Sequence, residues 1–369
     1  MGASDSASGS DAVDDAAPMR IAHSLAMRGW GRTYPNPMVG AVVVRDGAIV
    51  GRGWHAEFGD VHAEAAALRE AGAAARGGTL HVTLEPCAHT GKQPPCTDAI
   101  IGAGIARVVM AARDPDPVAA GGAERLRQAG ITVELDPSPT PYNFRFQHRV
   151  AGRATPWVAV KLAVTMDGMI ADAAGRSQWI SSPPAREWVH WLRAGFGAIG
   201  VGADTALTDD ARLTVRGAVV PRVAPTRVVF DRSGRVPPGH RIFADAGTVP
   251  VIVIVGSEVA GEHRAAVTAA GAIVIVEGRL ENALQALADA GVDSILVEGG
   301  GRLAGALLDA DLVDRVYQVQ SPRWLGQGTP AWPGVAAAAL DSARRWEVID
   351  ARRLGTDPHE SDVLIELGR

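Results

Sequence analysis

The only two cysteines in this chain of 369 residues, Cys87 and Cys96, both lie in the Pro-rich stretch "HVTLEPCAHTGKQPPC". Two thiols this close can close a disulfide, sit inert in an apolar core, or grip a metal ion. Just upstream, "HAEAAAL" sets His62 and Glu64 two residues apart at the start of an Ala-rich helical run. His-x-Glu alone is a common accident; joined to two Pro-Cys pairs across one intervening strand, it becomes a coherent donor set. One imidazole and two thiolates give Zn²⁺ three protein ligands and leave its fourth tetrahedral position to water, the composition of a catalytic site. Two soft sulfurs favour zinc over magnesium or calcium. Each cysteine follows a proline and is expected to open a helix, where the positive end of the dipole stabilises a thiolate. Zinc lowers the pKa of its water towards ~7 and so generates hydroxide at neutral pH. Glu64, not required as a ligand, is placed to take the water's proton and deliver it to a departing amine.

The elements that must position these groups alternate between strand and helix. "VGAVVVRDGAIVGRGW" reads as a β-hairpin turning at Arg45-Asp46-Gly47. Next come the helix that begins near His62, the strand "TLHVTL", a helix through "CTDAIIGAG", the strand "ARVVMAA", the helix "AERLRQAG" and the strand "ITVEL". Glycine closes each helix, and the alternation implies a sheet with helices packed on it. Three prolines in "DPSPTPYN" break the pattern and a helical link, "FRFQHRVAGR", follows. The boundary falls near Gly152, dividing the chain into a disordered tail over 1–17 and domains over 18–150 and 151–369. In the second domain "WVAVKLAVTMDGMIA" reads as one long strand and "PPAREWVHWLRAGF" as an amphipathic helix with prolines at its start. "PVIVIVG", "AIVIVEG" and "SILVEGGG" are fully apolar strands, as expected of a parallel sheet buried on both faces. The last residues read as an antiparallel hairpin.

Two domains are also what this length leads one to expect. A net charge of −5 provides no global basic field for nucleic acid or acidic membranes. No stretch reaches the ~18–20 apolar residues that span a bilayer. The start, "MGASDSASGSDAVDDAAP", is small, polar and acidic and carries no secretory signal pattern. A cytoplasmic protein with reduced thiols is therefore expected, which argues against the disulfide.

His-x-Glu followed by Pro-Cys is also the pattern of zinc-dependent nucleobase deaminases, where Pro-Cys-x-x-Cys closes the site; eight residues separate the cysteines here. With that insertion, "TYPNPMVGAVVV", "HAEAAAL", "TLEPCAHTGKQPPCTDAII" and "RDPDP" closely resemble the deaminase domain of the bifunctional pyrimidine deaminase/reductase family of riboflavin biosynthesis. "KLAVTMDGMIA", "SQWIS", "DTALTDDARLTVR" and "VEGGGRLAGALL" resemble its reductase domain in the same order, so the resemblance runs from about Arg20 to near the end. It implies an α/β fold class: a cytidine-deaminase-like three-layer α/β/α domain, then a dihydrofolate-reductase-like α/β domain. It implies His62, Cys87 and Cys96 as zinc ligands, Glu64 as proton shuttle, and Asn36, His89 and Lys92 as substrate contacts, with Lys92 suited to a phosphate. The implied reactions are deamination of 2,5-diamino-6-(ribosylamino)pyrimidin-4-one 5′-phosphate and NADPH-dependent reduction of its ribosyl chain to ribityl, in a homo-oligomer acting on small phosphorylated pyrimidines.

No G-x-G-x-x-G follows the first strand of the second half, so a Rossmann site is not supported. In "LVEGGGRLAGALL", Gly299, Gly300 and Gly301 allow close backbone approach and lead into a helix whose first N–H groups are free for a phosphate. The resemblance makes this turn, with Arg302, Leu303, Ala304, Gly305 and Ala306, an NADP site, joined by Val164, Trp179, Thr205 and Asp209. It places Ser177, Arg193, Leu213, Arg216 and Glu298 around the ribosyl phosphate, which guanidinium forks suit. Val164, where a small residue is expected, and Arg232, where a serine is expected, depart from the pattern. No general acid or base stands out in this half. Two other readings stay open: a zinc deaminase of another nucleobase with a non-catalytic second domain, and a nucleotide-binding regulatory protein, against which the intact His-Glu-Cys-Cys set counts.

Overall fold

A computed structural model describes residues 15–90, 93–336 and 338–369. It resolves into two compact units, one running to Gly29 and then from Thr33 to Asn143, the other comprising Trp30–Arg32 and Phe144–Arg369.

The first unit contains α1 (Ala16–Ala26), β1 (Gly40–Arg45), β2 (Ala48–Trp54), α2 (Ala63–Ala71), β3 (Thr79–Val82), α3 (Cys96–Ala103), β4 (Arg107–Met110), α4 (Gly122–Gln128) and β5 (Thr132–Leu135). Its sheet has the order β2-β1-β3-β4-β5, antiparallel across β2-β1-β3 and parallel from β3 to β5. The hairpin turns where expected: Asp46 and Gly47 both have positive φ, as a two-residue turn of this hand requires. Close approach fixes α2. A Cβ on Gly51 or Gly53 would run into the carbonyl oxygens of Ala67 and Ala63, so the helix rests directly on β2.

α1 is not anticipated by the sequence reading, which assigns its first two residues to a tail. The acidic segment 1–14 lies outside the described residues, but Asp15 is anchored by Arg107 and by His81, whose Nε2 stands 2.8 Å from its carboxylate. Met19, Ala22 and Leu25, spaced three apart on one helical face, pack on Val42, Val109 and Ala111. Pro18 sits in the first turn, where proline is tolerated.

The second unit contains α5 (Phe144–Val150), β6 (Trp157–Thr165), β7 (Met169–Asp172), α6 (Pro183–Ala194), β8 (Ala198–Gly202), α7 (Ala203–Asp209), β9 (Thr226–Phe230), β10 (Val251–Val255), α8 (Gly261–Ala269), β11 (Ile273–Val276), α9 (Leu280–Asp289), β12 (Ser294–Val297), α10 (Gly301–Asp309), β13 (Arg315–Ser321), β14 (Gly328–Pro330), β15 (Glu347–Leu354) and β16 (Asp362–Gly368). Nine strands form one sheet in the order β11-β10-β9-β8-β12-β6-β13-β16-β15. It is parallel from β11 to β13 and antiparallel beyond. α5 belongs to this unit rather than to the domain ending at 150, because Phe144 stacks on Trp157 at 4.0 Å and Arg145 pairs with Asp293. Trp30 joins the same unit by stacking on Trp191 at 4.5 Å.

Three details differ from the sequence reading. The long strand is two, β6 and β7, because Asp167 accepts from Thr165 Oγ1 and from the amides of Leu325 and Gly326 and turns the chain at Gly168. β11 is the sheet's edge, so Ile273 and Val276 are exposed rather than buried on both faces. β13, with polar residues breaking its apolar run, gave no clear strand signal. Along β6 the pleat alternates: Val158, Val160, Leu162 and Val164 enter the core with residues of α9 and α10, which puts Lys161 on the opposite face.

Arg107 and His81 hold the Asp15 carboxyl down to about 2, below its ordinary 3.8. A depressed folded value stabilises the fold above the unfolded value, and that stability is lost as pH falls through the folded one. Asp15→Asn should therefore lower the melting temperature of the first unit at pH 7. Circular dichroism melts should show the gap to wild type closing as the pH falls from about 4 to about 2.

Candidate functional site

Three elements bring the metal donors of the first unit together. His62 immediately precedes α2, its carbonyl accepting from the Ala66 amide; Cys96 is the first residue of α3; Cys87 lies on the loop after β3. His62 Nδ1 stands 3.2 Å from Cys96 Sγ and 3.6 Å from Cys87 Sγ, and the three donor atoms lie within 4.8 Å of one another. Both cysteines are free thiols, which removes the disulfide reading. Bond lengths of about 2.0 Å to nitrogen and 2.3 Å to sulfur in a tetrahedral site imply N···S separations of about 3.5 Å, so the donors fit a zinc ion. The Cys96 thiol and His62 hold Cys87 down to about 4, and the neighbouring Cys87 pushes Cys96 up.

Glu64, one residue into α2, is buried at 4% exposure, and that burial pushes its carboxyl up. The "RDPDP" segment and the start of α4 support the cysteine loop: Glu85 accepts from the amides of Asp114, Gly121 and Ala123, and Arg125 of α4 donates to the Ala88 carbonyl. Burial pushes Asp114 up to about 6.

Asn36 reaches His55, a residue the sequence reading missed. The Asn36 amide stands 3.2 Å from His55 Nε2, and His55 Nδ1 lies 3.1 Å from the Val61 carbonyl. The carbonyl can only accept, so Nδ1 carries the proton and Nε2 accepts from Asn36. Burial pushes the His55 pKa down, consistent with a neutral ring, which meets His62 edge to face at 5.5 Å. An isolated histidine in "GWHAEFGD" carries no spacing signal, so only its position in space marks it. His89 Nδ1 is buried with no partner among the described residues, as a group reserved for a ligand would be. Lys92 lies outside the described residues.

In the second unit Glu298 follows β12, and the expected phosphate fork of Arg193 closes on it. Nε to Oε1 is 2.5 Å and Nη2 to Oε2 is 2.8 Å, while Nη1 donates to the Thr214 carbonyl. Both side chains are about one-tenth exposed, and a buried charge left unpaired is costly, which is why the fork turns inward. Burial works against the Glu298 charge, but Arg193 and Lys161 outweigh it and hold the carboxyl down. Lys161 is the second residue missed. Burial pushes its pKa down against the pull of Glu298 and Asp362. Its signal was a lone lysine inside the apolar run "WVAVKLAV".

Arg216 is exposed, and Leu213, at φ 50°, shapes the loop that offers Thr214 to Arg193. Ser177 is half-buried on the loop that leads to Trp179, which is exposed with the Arg186 guanidinium stacked over it at 4.6 Å. Thr205 lies against Gly299 and Gly300, whose φ angles of 96° and 64° favour glycine. The amides of Gly301, Arg302 and Leu303 begin α10 and lack intrahelical acceptors, which suits a cofactor phosphate. Ala304 and Gly305 are buried while Ala306 is exposed farther along the helix. Asp209 is pushed up by burial, with Gln178 hydrogen-bonded to it. Val164 buries its side chain in the core, leaving its backbone for contact; Arg232 is exposed.

Residues 13–112 match the cytidine and deoxycytidylate deaminase zinc-binding region, and residues 156–359 match the RibD C-terminal domain. The chain is 40% identical to riboflavin biosynthesis protein RibD of Escherichia coli, over 92% of this chain and 96% of that one. It is 39% identical to the RibD protein of Aquifex aeolicus, over 84% and 87%. Among solved structures it resembles the diaminohydroxyphosphoribosylaminopyrimidine deaminase/5-amino-6-(5-phosphoribosylamino)uracil reductase of Thermotoga maritima, with a TM-score of 0.74 and 36% identity over 95% and 97% of the two chains. It resembles Acinetobacter baumannii RibD with a TM-score of 0.73 and 34% identity over 95% and 97%.

Cys87→Ser should leave His62 and Cys96 unable to retain the ion. Elemental analysis of the purified variant should show zinc well below the stoichiometric content of wild type; full occupancy would remove Cys87 from the ligand set.

Proposed function

The chain belongs to the RibD family, the bifunctional deaminase/reductases of riboflavin biosynthesis, and we propose that its catalytic work divides between the two centres described above. The enzyme uses zinc and NADPH. In the proposed sequence the first unit releases ammonia from 2,5-diamino-6-(ribosylamino)pyrimidin-4-one 5′-phosphate, and the second reduces the product's ribosyl chain to ribityl. The observation that carries this reading is the convergence of His62, Cys87 and Cys96 beside the buried Glu64 carboxyl.

His62, Cys87 and Cys96 would hold the zinc, which would supply the Lewis acidity that makes water nucleophilic near neutral pH. Glu64 is placed to hold the nucleophile's proton on its carboxylate and pass it to the departing amine. Its raised pKa suits a group that must both accept and release a proton at neutral pH. Asn36 and the neutral His55 form a wall whose polarity is fixed by their mutual hydrogen bond, so the amide keeps its oxygen for the ring. His89 offers its unpartnered Nδ1, and Lys92 is assigned to the phosphate.

In the second unit bound NADPH would supply the hydride for reduction at C1 of the ring-opened sugar. Its phosphates are assigned to the glycine turn and the first amides of α10, with Thr205, Asp209, Trp179 and the Val164 backbone alongside. Lys161 is the proton-handling group. Its ammonium feels the carboxylates of Glu298 and Asp362, and burial eases loss of its proton. Arg193 holds Glu298 in place, and the exposed Arg216 and half-buried Ser177 are assigned to the substrate phosphate. No helix of the described residues is long and apolar enough to cross a membrane, and a cytoplasmic setting fits a small phosphorylated substrate.

Ammonia release and NADPH oxidation, followed separately on the diaminopyrimidinone substrate, test the two halves; a wild-type protein that gives only one signal loses the other assignment. Glu64→Gln should retain zinc yet slow ammonia release about 10²- to 10⁴-fold. Normal release would remove Glu64 from the proton transfer. Lys161→Gln should depress kcat for NADPH oxidation by a similar order while deamination continues at the wild-type rate; unchanged oxidation would place the proton transfer elsewhere.

A further inference from the structure

We propose that Asn143 is a positioning residue for the deaminase: its carboxamide clamps the loop that carries Asn36 and so sets the Asn36–His55 wall against which the pyrimidine ring lies. The role rests on the deaminase reading of the first unit.

The stretch that ends in Asn143, "DPSPTPYN", reads in the sequence as a Pro-rich break between domains. In the structure its end is built into the first unit, of which Asn143 is the last residue. Pro141–Asn143 makes a single 3₁₀ turn, and the Asn143 amide donates to the Thr140 carbonyl. Connecting segments usually run over the surface with their polar side chains in water, yet Thr140 and Asn143 are both buried.

Asn36 stands between Pro35 and Pro37, which have no amide hydrogen with which to anchor it. Its own amide donates to the Thr33 carbonyl, inside the same loop. Met38 ties the loop down. Asn143 Oδ1 accepts from the Met38 amide at 2.7 Å, and Nδ2 donates to the Met38 carbonyl at 3.0 Å. The amide can only donate and the carbonyl can only accept, so the orientation of the carboxamide is determined. Asn143 does for Met38 what a neighbouring strand would, from 105 residues away.

Short links carry this anchorage into the site. Pro37 joins Met38 to Asn36 with its φ locked by the ring. On the other side, the Val39 carbonyl accepts from the His55 amide at 3.0 Å. The loop thus delivers the Asn36 side chain and the His55 backbone together, and the two side chains meet at 3.2 Å. Tyr142 braces the same place. It bonds to Thr83, whose Oγ1 accepts from the Gly40 amide at 3.1 Å, and its hydroxyl stands 2.7 Å from His23 Nδ1. Met38 and Asn143 are 7% and 3% exposed, so water cannot replace a lost clamp and the loop must move. The Asn143 hydrogen bonds go to Met38 and Thr140, not to the zinc donors or Glu64, so it acts through the loop.

The test uses the full-length protein and two variants. Asn143→Asp has the same shape and keeps an acceptor for the Met38 amide, but sets a second oxygen against the Met38 carbonyl. Asn143→Ala removes both partners. Hydrogen exchange over residues 33–40, followed by mass spectrometry, should be faster in both than in wild type. Ammonia release from the diaminopyrimidinone should show KM raised about tenfold or more and kcat changed by less than about threefold, with zinc content unchanged. Asn36→Ala should also raise KM, and Asn36→Ala combined with Asn143→Asp should be no worse than the poorer single variant, because both remove the same contact. A residue that only steadies the fold would multiply with Asn36→Ala. Such a product, unchanged exchange, faster exchange with a wild-type KM, or loss of zinc from both Asn143 variants would overturn the role. A wild type that releases no ammonia would instead overturn the deaminase reading and the role with it, while exchange would still report the clamp.

Discussion

One nitrogen and two sulfurs held around a common point are the constraint on which the first unit depends. They come from three separate pieces of chain, so the sheet must deliver each to within a few tenths of an ångström. α2 can rest on β2 only because Gly51 and Gly53 have no side chains, and that contact sets the height at which His62 and Glu64 stand. Cys96 takes its place by opening α3, and Cys87 by its loop, which Glu85 and Arg125 tie down from behind. Burial of Glu64 follows from the same packing. The carboxyl that must move a proton is therefore raised in pKa by the contact that places it.

The second unit gathers charged side chains rather than metal donors among its described residues. Three charged side chains, Lys161 on β6, Arg193 on α6 and Glu298 just after β12, come within electrostatic reach of one another. Each would be costly alone, and their mutual pairing is what permits them to be there. The Arg193–Glu298 pair is rigid and two-pronged, whereas Lys161, on a flexible stem, keeps its proton mobile. That contrast suits the proposed division of roles, orientation for the first two and proton transfer for the third.

Much of this was legible in the sequence because it depends on local chemistry. Two Pro-Cys pairs downstream of His-x-Glu define a donor set without reference to the fold, and Asp-Gly between two apolar runs defines the hairpin. The glycines before α10 likewise announce a turn. What was not legible depends on contacts distant in sequence. His55 matters because Asn36, nineteen residues away, fixes its tautomer. Arg193, which the resemblance sets beside the ribosyl phosphate, also pairs with Glu298, 105 residues on, a contact that no spacing announces. α1 was hidden because its short apolar face adjoins an acidic stretch, and Asp15 gains its meaning only from Arg107 and His81. β11 looked like a buried strand because edge position is a property of the sheet, not of the residues.

The most direct measurement of the central claim is X-ray absorption at the zinc edge on protein that is releasing ammonia from its substrate. The account predicts a first shell of two sulfurs at about 2.3 Å and two lighter atoms at about 2.0 Å, one from His62 and one from solvent or substrate. An active protein without zinc, or with zinc that has no sulfur neighbours, would contradict it.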